Sequence, residues 1–209
     1  MILLAFNELN LDYIKGYVSQ GSLTNFGKLL EHGVVTTTSE RKYELLEPWI
    51  QWATVQTGKT YEEHQVFRLG DMVDRPDLHQ IFEDIEKSGL SVGAISPFNA
   101  DNRLNSSKFF IPDPWTQTKA SGGYIIKKLS RTVSRFVNSN ASGKVGPVDV
   151  IWLLLGFVIY VRVKRWPKFF NLVSLRKKPG VKAAILDMIL LEVFVTLQKK
   201  HKPDYSHLF

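Results

Sequence analysis

Along its first hundred residues, the chain alternates short, uninterrupted apolar runs with helically spaced apolar positions. Ile2-Leu3-Leu4-Ala5-Phe6 is wholly apolar and ends in Asn7-Glu8, the pattern of a buried strand with polar groups at its carboxyl end. Asn10 to Gln20 places Leu11, Ile14 and Val18 at helical spacing, and Leu23 to His32 repeats the pattern with Phe26, Leu29 and Leu30 until Gly33, a residue type that stops helices. The β-branched stretch Gly33 to Thr38 predicts a second strand. Pro48 to Gln56 opens with proline at the first helical position and stops at Gly58. Asp77 to Lys87 puts Leu78, Ile81, Phe82 and Ile85 on one helical face, and Leu90 to Ile95 predicts a buried strand ending at Ser96-Pro97.

Residues 97–118, rich in proline and aromatic side chains, predict a long ordered loop. Beyond them the periodicity is helical over 124–137, 148–164 and 181–199, with breaks at Ser139 to Gly143 and at Lys178-Pro179-Gly180. Strands alternating with helices indicate an α/β fold with a mostly parallel sheet flanked by helices. The expected organisation is an α/β core over 1–118, a basic helical insertion or cap over 119–202, and the start of a further core strand at 203–209. Such a strand, with no closing polar tail, suggests a piece of a longer protein.

Charge sharpens that division. Residues 1–118 hold 10 Lys/Arg against 16 Asp/Glu, and residues 119–209 hold 17 against 4, so a net −6 faces a net +13. The basic part, with Arg162, Lys164, Arg165, Lys168 and Arg176 to Lys178, suits a phosphate-rich ligand, nucleic acid or an anionic membrane surface. A chain without cysteine excludes disulfide frameworks, thiolate metal sites and cysteine nucleophiles. The longest apolar run, Val150 to Val161, is 12 residues, short of the roughly 20 that span a bilayer. Met1 to Phe6 lacks the basic start and cleavage site of a signal peptide. A cytoplasmic protein, with membrane-peripheral attachment as a possibility, is the expectation.

Ala53 to Thr60 fits a loose phosphate-loop pattern, but its interior lacks glycine and Pro48 to Trp52 ahead of it reads as a helix start, not a strand. A wider constellation carries more. Asn7-Glu8 after the first strand, Asn25-Phe26-Gly27-Lys28-Leu29-Leu30-Glu31-His32-Gly33-Val34, and Thr57-Gly58 followed by Glu62-Glu63-His64 together resemble the type I phosphodiesterase/nucleotide pyrophosphatase branch of the alkaline phosphatase superfamily. The resemblance covers roughly the first hundred residues, with the motif order followed through about residue 67. It implies hydrolysis or transfer at a phosphate or sulfate ester with one or two divalent metals, zinc or manganese, acting on an anionic small molecule or glycan. Nucleic acid is not the expected partner, and the oligomeric state is left open.

The departures from that pattern define the expected site. The metal aspartate is replaced by Asn7 or Glu8, depending on how the strand end aligns, and Glu47-Pro48 stands where a Ser or Thr nucleophile is expected. Glu62 replaces the family's proline, and Gln65 its glycine after His64. Asn7, Glu8 and Glu47 are therefore the expected metal ligands. Glu47 and His64 are the expected catalytic groups, with a metal-activated water in place of the missing nucleophile. Asn99, Asp101, Asn102 and Arg103 lie just past the strand ending at Ile95, where open α/β sheets present ligand contacts. Of these, Asn102 and Arg103 are the expected substrate-binding pair, Arg103 as an anion contact. The rival reading is a non-catalytic scaffold whose basic helical half binds an anionic partner or a membrane surface.

Overall fold

A computed structural model describes residues 1–138 and 146–209, so the expected break at Ser139 to Gly143 lies outside the described residues. Four strands, β1 (Ile2–Leu4), β2 (Val92–Ile95), β3 (Phe109–Ile111) and β4 (Tyr205–Leu208), form one sheet in the order β1-β4-β2-β3. Every pairing is parallel, with Ile2 opposite Ser206, Val92 opposite Tyr205 and Gly93 opposite Phe109. The strand expected near residue 203 is thus an inner strand, paired on both sides.

Alternation along the strands feeds two apolar layers. Val92, Ala94, Phe110 and Tyr205 face Phe82 of α5 (Ile81–Lys87). Ile95, Phe109 and Ile111 face the opposite side. There they share one cluster with Leu129 of α6 (Tyr124–Asn138), Phe157 of α7 (Pro147–Tyr160) and Val193 of α9 (Val181–His201). The basic helical part therefore packs directly on the sheet as one layer of a sandwich. Close approach is built into it: a Cβ on Gly93 would lie 2.5 Å from the Phe109 ring, and one on Gly156 would lie 2.9 Å from Leu129.

Local chemistry explains most boundaries. Asn10 caps α1 (Leu11–Ser19), its Oδ1 accepting from Asp12 N and Tyr13 N, each at 3.0 Å. α2 (Thr24–Leu30) follows it, and α3 (Pro48–Thr57) ends on left-handed Gly58, where the missing Cβ removes the steric cost. The short α4 (Tyr61–His64) comes next. α5 begins at Ile81, later than Asp77, because the Glu83 carboxylate accepts from Gln80 N at 2.9 Å and so caps the helix there.

Three expectations about elements are corrected. Gly33 to Thr38 forms no strand; Val35 is 91% exposed, and β-branched residues without a neighbouring strand have nothing to pair with. Phe109–Ile111 is a strand inside the expected loop, paired to β2 despite its proline-rich surroundings. The helix expected over 148–164 ends at Tyr160, and a new one, α8 (Trp166–Ser174), starts with Pro167 in its first turn. Proline has no N–H to continue the earlier helix but fits the start of the next.

Candidate functional site at the carboxyl edge of the sheet

Because all four strands run the same way, their carboxyl ends share one edge, the usual ligand side of open α/β sheets. Asn99 organises that edge. Its backbone is left-handed (φ 51°), a conformation asparagine tolerates, and its side chain is buried. Nδ2 donates to Trp49 O at 2.9 Å and to Arg68 O at 3.3 Å, while Oδ1 accepts from Gly70 N at 2.8 Å. α3 is fastened to the end of β2 a second time by Gln56 Nε2, which donates to Phe98 O at 2.6 Å.

Asp113, just past β3, is buried beside Asn99. Its carboxylate accepts from Asn99 N, Trp115 N and Thr116 N, each at 2.9 Å. Burial pushes the Asp113 carboxyl pKa up, and these donors pull against that shift without cancelling it. Phe209, past β4, stacks on Phe98 with centroids 4.9 Å apart and meets Trp52 of α3 edge-on at 5.0 Å.

Around this edge the expected site residues fall into two groups. Asn7 and Glu8 lie exposed in the bend after β1, held by Ala5 N donating to Leu208 O at 2.7 Å, with Glu8 at φ 53°. Glu47 occupies the N-cap of α3, exposed and making no side-chain capping bond. Among the described residues, no three His, Asp or Glu side chains gather as a group that would hold a metal ion.

His64, Asn102 and Arg103 are engaged within the chain. His64 is buried; its Nδ1 accepts from Val66 N at 2.9 Å, so the ring proton sits on Nε2, 3.1 Å from Thr54 Oγ1. Burial pushes its pKa down and keeps the ring neutral. Arg103 donates through Nε to Asp101 at 2.7 Å, through Nη1 to Leu78 O at 2.8 Å, and through Nη2 to Met72 O at 2.7 Å and Arg75 O at 3.0 Å. Three of its N–H groups thus tie down the 72–78 segment, and a fourth holds Asp101. Asn102 N donates to Thr118 Oγ1 at 3.0 Å and its Nδ2 to Lys119 O at 2.6 Å.

Gln56 and Asp113 were not legible as edge residues. The signal for Asp113, an Asx turn through Pro114 to Thr116, acquires meaning only once Phe109 to Ile111 is known to be a strand. In comparisons of the chain with protein-family models, with curated proteins and with solved structures, nothing matches.

Proposed function

We propose that this chain carries the α/β scaffold of a divergent alkaline phosphatase-like protein that performs hydrolysis or transfer at a phosphate or sulfate ester. The observation supporting this reading is the seating of α3. Asn99 and Gln56 hold that helix against the carboxyl edge of a wholly parallel sheet. The resemblance puts the reacting group at the N-terminus of this helix. Here that position is Glu47-Pro48, with an exposed carboxylate that makes no capping bond and is open to act as a base toward water.

A divalent zinc or manganese ion belongs to the same proposal, since it would polarise the ester and supply an activated water. Asn7, Glu8 and Glu47 offer oxygen donors, but two exposed carboxylates and an amide do not by themselves make a metal site. The chain's own part is thus to hold the edge rigid and to present Glu47 at the helix start, where the macrodipole favours negative charge.

The test is hydrolysis of aryl phosphate and sulfate esters, with and without added zinc or manganese, by the wild-type chain and by Glu47→Gln. Turnover above the buffer blank that falls about 10²-fold in the variant at unchanged melting temperature is the expected result. Absence of turnover, together with no rise in melting temperature in inorganic phosphate or sulfate, defeats the reading.

A further inference from the structure

α7 is apolar almost all round yet covered on one side only. Its inner side places Gly156 against Leu129 and Phe157 in the main cluster. Its outer stripe consists of Val148, Ile151, Leu154, Leu155, Val158 and Ile159, with Leu154 57% and Val158 61% exposed. The solvent side of a surface helix is normally polar, so an apolar stripe of this length marks a face that something apolar covers. Beyond the helix, Val163 and Phe170 are also exposed.

The charge around this face selects its occupant. From Lys119 to Leu186, Asp149 is the sole acidic residue, and it is buried and paired with Arg135 at 3.1 Å. Lys164 and Lys168, which follow α7 in sequence, are exposed. Trp152, next in sequence to Ile151, meets Tyr124 edge-on at 5.9 Å, and the Lys128 ammonium lies over both rings at 5.8 and 5.3 Å. Aromatic rings beside lysines next to an apolar stripe are the chemistry of a bilayer interface. A second copy docked through the same face would set like charges against one another, because a two-fold contact is self-complementary.

α7 has 14 residues, roughly 21 Å of helix against about 30 Å of hydrocarbon. No described helix is long and apolar enough to cross a membrane. We infer that the outer face of α7 and the start of α8 dock in the interfacial layer of an anionic lipid bilayer, with α7 lying in its plane.

Vesicle sedimentation tests this with phosphatidylcholine vesicles and with vesicles that also contain phosphatidylserine. The wild-type chain should pellet with the anionic vesicles and weakly with the neutral ones. Leu154→Glu with Val158→Glu should weaken binding at least tenfold. Because both side chains point outward, circular dichroism and the melting temperature should be unchanged. Lys164→Gln with Lys168→Gln leaves the helix apolar and should cost about fivefold per lysine on anionic vesicles.

Three results would each overturn the inference: no pelleting with either vesicle, equal pelleting with both, or binding untouched by both double variants. A wild-type dimer in size-exclusion chromatography that the Leu154→Glu, Val158→Glu chain converts to monomer would also overturn it, assigning the face to a second copy. Ester hydrolysis in lipid-free solution is read separately and does not depend on this face.

Discussion

Glu192, 2% exposed on α9, receives the Arg162 guanidinium through both Nε and Nη2, at 2.7 and 2.6 Å. Arg165 stands 3.4 Å from the same carboxylate. The pair stitches the segment after α7 to the helix that lies on the sheet. Arg162→Met leaves a buried carboxylate that keeps Arg165 and the backbone N–H of position 162, each at 3.4 Å. The expected loss is about 2 kcal/mol in urea denaturation, below the figure for fully buried pairs because Arg162 is 29% exposed.

The same pair has a pH signature. Hydrogen bonding from Arg162 holds the Glu192 carboxyl below its ordinary value, against the opposing effect of burial. Its contribution to stability is complete above the ordinary glutamate pKa and is lost as pH falls through the lower folded value. Urea midpoints of wild type and Arg162→Met should therefore converge on acidification below that range.

His207 on β4 is the opposite case. Buried between Trp52 and Phe82, it has no hydrogen-bond partner for either ring nitrogen among the described residues, and burial pushes its pKa down to about 4. Between pH 6.5 and 4 the unfolded chain binds a proton there that the folded chain refuses. Stability therefore falls as pH drops through that window, by about 3 kcal/mol at its lower end. His207→Leu should melt higher than wild type at pH 5, with a smaller difference at pH 8. An equal difference at both pH values would contradict this.

Two glycines separate crowding from flexibility. Gly93→Ala drives a methyl group against the Phe109 ring, and the expected cost is roughly 1–3 kcal/mol. Gly16 on α1 has nothing within 4 Å of a built Cβ, so Gly16→Ala should stabilise by roughly 0.5–1 kcal/mol. Thermal melts of the two variants should move in opposite directions.

Asn99→Ala removes the partners of Trp49 O, Arg68 O and Gly70 N and puts alanine at φ 51°. Unmet buried groups and left-handed strain together are expected to cost roughly 2–4 kcal/mol. Asn99→Asp keeps the acceptor for Gly70 but sets a buried carboxylate against two carbonyl oxygens and beside Asp113, so it should destabilise at least as much as alanine. Amide exchange in α3 should speed up in both variants.

What was legible in the sequence was whatever short-range chemistry decides. Gly58 as a stop and Pro48 as a start act within a few residues, and each holds. The strand assigned to Gly33 through Thr38 failed because pairing depends on a neighbour that no local pattern reveals. Phe109 to Ile111 was hidden for the same reason, since its strand character comes from β2. Among the site residues, Asn7, Glu8 and Glu47 lie exposed at a strand end and a helix start. Arg103 and His64 carry the right chemistry for a site, but Arg103 spends its donors on backbone carbonyls of the distant 72–78 segment, and His64 spends its ring on Val66 N and the Thr54 hydroxyl, a use that residue type alone does not disclose.

The strand order carries a consequence for synthesis. Among the described residues β1 has β4 as its one strand neighbour, and Met1 and Asp204, which are joined by a hydrogen bond, lie 203 positions apart. At ribosomal rates, the interval between making the first strand and making its partner is roughly 10–40 s, far longer than hairpins or helices take to form. During that interval the helices can assemble locally while Ile2, Leu3 and Leu4 remain unclaimed. Sheet closure is thus a late, long-range event in the life of the nascent chain, and a holding chaperone on that first strand would guard the slowest step of folding.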